Sequence, residues 1–337
     1  MSVKSIINEI EADIQDVINT EFEYSDTVNV PSANDPSLSY ERNKLKKGKR
    51  LETCVLYVDI RNSVVLNESH RSKTMGRIYT AFTKAIIKAG REHGGHTRNI
   101  IGDRVMIVFP KENCFSNSVK CAVTINHIAT RILNVKFTGV DFKCGIGIDF
   151  GQLKIIKVGI QRNGTEGPEN KGLVWAGFPA NIASRLTDLG NKTITETYYE
   201  VVRNPINPRA IKGNFQFPSI FEMINNPDRN QGYDPNAPFY LSKTETVEMT
   251  ESEFAQSFVM YTHKDEYFTS GGKMISFKRK TRTINYPPIL ITERVYRGLL
   301  TISPSIDVGK SVFWNEQKHQ IRDVSDKVYG SHLMWKI

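Results

Sequence analysis

The sequence predicts an α+β fold, a mainly antiparallel sheet carrying helices, followed by a smaller strand-rich domain. Three observations point there. Short β-branched runs stop at turn residues after Ile60 and at Gly102-Asp103. Stretches with apolar residues at helical spacing separate them. Beyond about Asn204 that period gives way to short strand-like runs among Asn, Pro, Asp and Gly. Strand pairs separated by helices describe a helix-covered antiparallel layer.

Composition sets the outer limits. The chain has 337 residues, 39% of them hydrophobic and 24% charged, as expected of a soluble two-domain protein with ample core. No apolar run reaches the ~18 to 20 residues of a membrane helix, and the N-terminus lacks a signal-like apolar stretch, so a cytoplasmic protein is expected. The net charge of +9 favours a polyanionic partner, although no helix-turn-helix, zinc-finger or aromatic RNA-binding signature turns it into base readout. Cys54, Cys114, Cys121 and Cys144 show no paired ligand spacing and read as buried free thiols; the seven histidines form no zinc motif.

Residues 3 to 20 place Ile6, Ile7, Ile10, Ile14, Val17 and Ile18 at helical spacing, an amphipathic helix expected to pack on the core or on a second protomer. A loop follows to Leu38. The basic run Arg42, Lys44, Lys46, Lys47, Lys49 and Arg50 is either a solvated segment or a rim that attracts phosphate. Val55 to Ile60 reads as a buried strand, Asn62 and Ser63 as turn or cap residues, and Thr74 to His93 as a helix ended by Gly94-Gly95. Thr97 to Ile101 and Val105 to Phe109 flank Gly102-Asp103 as a tight hairpin. Cys114 to Leu133 is a second long helix. Phe142 to Phe150 and Leu153 to Val158 read as another hairpin turning at Gly151. Gln161 to Gly172 is a polar, glycine-rich loop, and Pro179 to Leu189 a helix with Asn181 and Arg185 on one face. The strand-like runs of the last part are Phe258 to Thr262, Met274 to Phe277, Leu299 to Ile302 and Val312 to Trp314, with Lys278, Arg279, Lys280 and Arg282 read as guarding a solvated strand edge or, alternatively, as contacting an anion. The expected division is residues 1–45 as helix and linker, 46–203 as the main domain, and 204–337 as the strand-rich domain.

Asp59 ends one apolar strand and Asp103 sits in a hairpin turn, and the β-α-β-β order sets that hairpin beside the first strand. Either residue alone reads equally as a helix cap or a turn former. Together they supply hard oxygen ligands of the kind Mg²⁺ or Mn²⁺ prefers, and a two-metal site uses such ligands to bridge an attacking oxygen, a phosphoryl group and a leaving group. Backbone N–H groups of the Ile60 to Val64 turn are candidates for holding phosphates.

Four segments then carry a resemblance to the class III nucleotide cyclases. Tyr57-Val58-Asp59-Ile60-Arg61-Asn62-Ser63 resembles the first metal motif and Asn99-Ile100-Ile101-Gly102-Asp103 the second. Gly145-Ile146-Gly147-Ile148-Asp149-Phe150-Gly151 resembles the glycine hairpin, and the stretch from Val174 through Asn181 to Arg185 and Leu186 resembles the segment that completes the dimer. The resemblance implies a homodimer with composite active sites and two Mn²⁺ or Mg²⁺ ions per site. Asp59, Ile60 and Asp103 would hold the metals, and Asn181 and Arg185 of a second protomer would act on the ribose and the α-phosphate. Tyr57, Ile60, Arg61, Asn62, Ser63, Asn99 and Val174 would contact substrate.

The departures concern the base. The Lys or Glu typical of adenylate or guanylate cyclases is replaced by Asn99, and the partner specificity Asp by Val174. Asn99 reads as a pyrimidine reader or simply a polar strand end, and Tyr57 as a pocket-narrowing ring or a core aromatic. Taken together these features are similar to the Pycsar cyclases of bacterial anti-phage defence. That implies conversion of CTP to cyclic CMP, with UTP to cyclic UMP as the alternative, and a separate effector that answers to the product. A purine cyclase and a silent nucleotide sensor are the remaining alternatives.

Overall fold

In the computed structural model of the chain, residues 2–69, 71–160, 170–210, 234–258, 267–302, 313–317, 321 and 323–337 are described. The first helix, α1 (Val3–Asn19), starts at Ser2, whose Oγ accepts the Ser5 N–H at 3.2 Å. Of the two places expected for its apolar face, the core is not the one it takes: Ile7 and Ile14 are each 55% exposed. The polar face is what meets the body, because Asp16 takes Lys46 Nζ at 2.9 Å and the Asn43 N–H at 2.8 Å.

Strand β1 (Phe22–Asp26) runs parallel to the start of β2 (Lys46–Ile60). The strand expected from Val55 thus begins nine residues earlier and absorbs most of the basic run. Lys46, Lys49 and Arg50 are paired with Asp16, Asp35 and Asp26, so this segment is neither simply solvated nor a free phosphate rim. After α2 (Ser63–Ser69) and α3 (Ser72–Glu92), the turn at Gly94 takes φ 68°, where glycine meets no steric penalty. The hairpin of β3 (His96–Ile101) and β4 (Arg104–Val108) forms around Gly102 as expected. Helix α4 (Cys114–His127) continues through a π-helical stretch, Ile128–Leu133, into the short α5 (Asn134–Lys136).

No hairpin forms at Gly151. β5 (Cys144–Gly159) is a single strand paired with β2 from Gly48↔Ile156 to Ile60↔Cys144, and Gly151 stands opposite Thr53 within that ladder. The partner on its other side is β6 (Lys171–Ala176), which includes the end of the expected loop; residues 161–169 lie outside the described residues. Helix α6 (Phe178–Leu189) follows, with Pro179 in its first turn.

The expected boundary near residue 204 differs from the one the backbone makes. Thr193–Asn285 forms a compact unit of its own: β7 (Thr193–Pro205), β8 (Glu245–Thr250), α7 (Glu251–Ser257), β9 (Tyr267–Thr269) and β10 (Gly272–Asn285), in sheet order β8-β7-β10-β9. Lys280 and Arg282 are ion-paired across it with Glu200, Glu196 and Glu248, on a strand that β9 covers only at Gly272 to Met274. Of the run Phe258 to Thr262, only Phe258 is described.

The chain then returns to the first unit through β11 (Ile289–Thr292), α8 (Glu293–Ile302), β12 (Asn315–Glu316) and β13 (Val328–Ser331). Leu299 to Ile302, expected as a strand, is the last turn of α8; Val312 lies outside the described residues, and Trp314 precedes β12. Among the described residues the larger sheet is ordered β12-β13-β11-β5-β2-β4-β3, with β1 beside β2 and β6 beside β5. It is antiparallel except for the β1–β2 and β11–β5 pairs. One face is the main core, where Leu56, Val58, Ile107, Ile146 and Ile291 pack against α3, α4 and α8. The other face carries α6, packed through Ala180 and Ala183 on Val55, Met106, Leu153 and Ile155. All four cysteines are buried and free, as expected. No described helix is long and apolar enough to cross a membrane.

Candidate active site

Alternation along β2 sends Tyr57 and Asp59 to the α6 side of the sheet, while Leu56, Val58 and Ile60 enter the main core. Met106 pairs with both Tyr57 and Asn99, and Tyr57 pairs with Gly147 on its other side. Asn99, Met106, Tyr57 and Gly147 therefore form one row across the sheet, with strands ~4.8 Å apart. The glycines of the Gly-Ile-Gly segment let α6 approach. A Cβ on Gly145 would stand 2.5 Å from the Thr187 carbonyl, and one on Gly147 would stand 2.5 Å from the Thr187 N–H nitrogen.

Asp59 is 14% exposed and holds two cations on one oxygen: Arg104 Nη2 at 2.8 Å and Arg61 Nη2 at 3.4 Å from Oδ2. Arg104 also donates through Nη1 to Ser184 Oγ at 2.8 Å and through Nη2 to Asp188, both on α6. Arg61, expected to reach substrate, is instead buried, with Nη1 donating to the Asp188 carbonyl at 3.0 Å. Burial lowers its pKa, and Asp59 is the main group opposing that shift. The Arg61 N–H is also engaged, bonded to the Lys143 carbonyl at 2.8 Å. Of the turn proposed to hold phosphates, that donor is therefore unavailable.

Asp103 shares this pocket. Its Oδ2 is shielded from solvent and has no hydrogen-bond partner. Burial, with the nearby Asp59 charge second, pushes its carboxyl above the ordinary 3.8, against the Ser63 hydrogen bond that lowers it. An orphaned carboxylate oxygen beside a second carboxylate suits a hard divalent cation. Among the described residues no group of three or more His, Cys, Asp or Glu gathers. A cation here would take its remaining ligands from backbone, water or phosphate oxygens, as Mg²⁺ usually does.

Asn62 adopts φ 56° and its carbonyl accepts the Leu66 N–H at 2.9 Å, which closes the turn into α2 at Ser63. Asn99 is exposed on β3, next to a bulge at Arg98. Tyr57 is half-buried, and burial raises its hydroxyl pKa. Val174 is opposite Ile156, on the face away from Tyr57, while its neighbour Trp175 packs with Tyr57's cluster. Asn181 and Arg185 are exposed on α6. Arg185 turns to Asp323, 2.9 Å from its carbonyl and 3.5 Å from its carboxylate.

Sequence reasoning passed over Arg98, Arg104, Trp175 and Asp188. Arg98 lies 5.9 Å over the Trp175 ring and donates to the Val30 carbonyl at 3.4 Å. The available signal was position: Arg104 directly follows Asp103, and Asp188 lies one helical turn past Arg185.

No family model matches the sequence. Over 176 residues the chain is 30% identical to a uridylate cyclase of Burkholderia cepacia, a match covering 51% of this chain and 72% of that protein. Over 194 residues it is 25% identical to a uridylate cyclase of Gulbenkiania mobilis, covering 54% and 70%. Among solved structures, the adenylyl cyclase CyaB from P. aeruginosa aligns with a TM-score of 0.45 and 12% identity over 84% of this chain and 95% of that one.

Proposed function

Because the chain belongs to the class III nucleotide cyclases, we propose that it converts a pyrimidine ribonucleoside triphosphate into its 3′,5′-cyclic monophosphate and pyrophosphate. The observation that carries this reading is the meeting of Asp59 and Asp103, with one Asp103 oxygen buried and unpartnered. In the reaction the ribose 3′-oxygen loses its proton and bonds to the α-phosphorus as the bond from that phosphorus to the β-bridging oxygen breaks. Asp59 and Asp103, with the backbone of Ile60, would hold two Mg²⁺ or Mn²⁺ ions, whose charge favours the ionised hydroxyl and offsets the phosphate oxygens.

The rest is positioning and electrostatics, as in other phosphoryl transfers. Asn181 and Arg185 would enter the site of a second protomer, Asn181 to orient the ribose and Arg185 to take charge building on the α-phosphate. Their exposure on α6 supports that role. The row of Asn99, Met106 and Tyr57 supports a base pocket of limited width, and an amide at Asn99 offers both a donor and an acceptor to a pyrimidine edge.

The sequence reading puts CTP first, with cyclic CMP serving as a messenger to a separate effector in anti-phage defence. The relatives, named uridylate cyclases, support UTP, and the two readings have equal standing. The test is incubation with each of the four ribonucleoside triphosphates and Mn²⁺, products resolved by mass spectrometry, with Asp59→Ala in parallel. Cyclic CMP or cyclic UMP absent from the variant is the expected result and separates the two bases. A cyclic purine would refute the pyrimidine assignment, and a product that Asp59→Ala still makes would refute the role of Asp59.

A further inference from the structure

Away from the carboxylate site, the sheet edge of β12 and β13 carries a second concavity. It measures about 720 Å³, and its lining includes His127, Arg131, Phe313, His332, Trp335 and Lys336. Its strand β13 lies three strand positions from β2, ~14 Å at the usual spacing. Its helical wall is the end of α4 and the π-helical stretch, which belong to the face opposite α6.

Three features distinguish it from an incidental groove. The first is charge: the charged lining side chains are the cations Arg131 and Lys336, set against the main-chain carboxylate of Ile337, the last residue of the sequence. Among the described residues neither Arg131 nor Lys336 has an acidic partner, as holds for other exposed cations such as Lys84 and Lys88. The second is a ring held in place. Trp335 Nε1 donates to Thr124 Oγ1 at 2.7 Å, and Asn126 Nδ2 fixes the preceding segment through the Leu333 carbonyl at 2.9 Å. The indole is nonetheless 41% exposed, and Phe313 is 53% exposed. The third is the helix itself: Arg131 sits on the π-helical stretch Ile128–Leu133, a wide turn frequently found at functional sites. His127, where that stretch begins, has a shielded Nδ1 with no hydrogen-bond partner.

We propose that this groove is a second, non-catalytic nucleotide site. Arg131 and Lys336 take the phosphate through charge-assisted hydrogen bonds, and the base lies against the preset face of Trp335. The volume suits one small organic molecule. Two unpaired cations beside an exposed ring match an anion with a flat ring better than they match a bare anion or an apolar ligand. Both the triphosphate and the cyclic monophosphate carry that chemistry.

Calorimetric titration of the full chain in EDTA tests it. EDTA removes the cations through which the Asp59 and Asp103 site would hold a triphosphate, and the groove variants assign the binding that remains to the groove. The probes are UTP, cyclic UMP and inorganic phosphate. Expected is one equivalent of UTP or cyclic UMP, weakened at least tenfold in the Arg131→Ala/Lys336→Ala double variant and again in Trp335→Ala, with phosphate alone at least tenfold weaker. Arg131 and Lys336 are exposed, so the double variant keeps its fold, which circular dichroism verifies. No nucleotide binding in EDTA, or equal binding by the double variant, would overturn the site. Phosphate binding as tightly as the nucleotide would overturn the ring contact.

Discussion

Replacing Arg104 by Gln frees the carboxylate on which the proposed cation site depends. Its guanidinium stands 2.8 Å from Asp59 Oδ2 and is itself only 28% exposed. A unit charge pair at 2.8 Å is worth roughly 6 kcal/mol in gross terms at an effective dielectric of ~20. Desolvation and lost side-chain freedom cancel most of this, and a hydrogen bond to a charged group nets about 1.5 to 3 kcal/mol. The second contact, to Asp188, is half exposed and adds little. In the proposed site, a divalent cation on Asp59 Oδ2 would compete with this guanidinium. Arg104→Gln should therefore bind Mn²⁺ roughly ten- to a hundredfold more tightly, at ~1.4 kcal/mol per factor of ten. The metal-free variant should also unfold at a lower temperature, because Asp59 keeps only Arg61 at 3.4 Å. Titration followed by Mn²⁺ electron paramagnetic resonance reads the affinity directly, whatever the turnover. Unchanged or weaker Mn²⁺ binding, with the parent chain binding normally, would refute the displacement. Failure of both proteins to bind Mn²⁺ would refute the cation site itself.

Two further predictions concern the supports of this site. Gly147→Ala should cost roughly 3 kcal/mol or more, above the usual 1 to 3 for overpacking, since its Cβ would meet backbone of α6 and Leu186 Cβ at 2.8 Å. Gly76→Ala in α3 meets nothing within 4 Å and should be neutral or stabilise by up to ~1 kcal/mol; urea denaturation of both variants checks the contrast. Asp149 is fully buried, with Thr292 Oγ1 donating at 2.6 Å, and burial holds its carboxyl above the ordinary 3.8. The native chain then binds more protons than the unfolded chain from pH 3.8 up to the raised value, so Asp149's contribution to stability is present below that window and lost as pH rises through it. Asp149→Asn should lack this loss. A denaturation midpoint whose difference from the parent stays constant across acidic pH would refute it.

The parts legible in the sequence are those whose signals are local. The hairpin at Gly102-Asp103 and the long helices follow from periodicity and turn residues, whereas of the strand-like runs expected beyond Asn204, Met274 to Phe277 lies on a strand and residues 286–337 return to the first unit. Gly151 misled because glycine marks a turn only when the partner strand is adjacent in sequence. Here β5 takes its register from β2, almost a hundred residues earlier, and runs straight through. Leu299 to Ile302 misled because a four-residue, largely apolar run fits a strand or a helix equally well; Glu293 to Gly298, which begin the helix, decide the matter. The return of Ile289 to Thr292 to a place parallel with β5 is a non-local pairing that no short pattern encodes.

The site divides the same way. Asp59 and Asp103 were legible because strand ends and tight turns are local features, but the arginines around them were not. Two carboxylates this close resist burial together, as the raised pKa of Asp103 records. Arg61 and Arg104 supply two positive charges against them, one from the turn after Asp59 and one from the residue after Asp103. That balance offsets the two carboxylates where the strand and hairpin meet. For the proposed cation site the consequence is competition: a cation on Asp59 Oδ2 and the Arg104 guanidinium would contend for one oxygen. Because Arg104 also holds Ser184 and Asp188, its release changes the tethering of the helix that bears Asn181 and Arg185. Under that proposal, cation binding at Asp59 and the tethering of α6 are linked through Arg104.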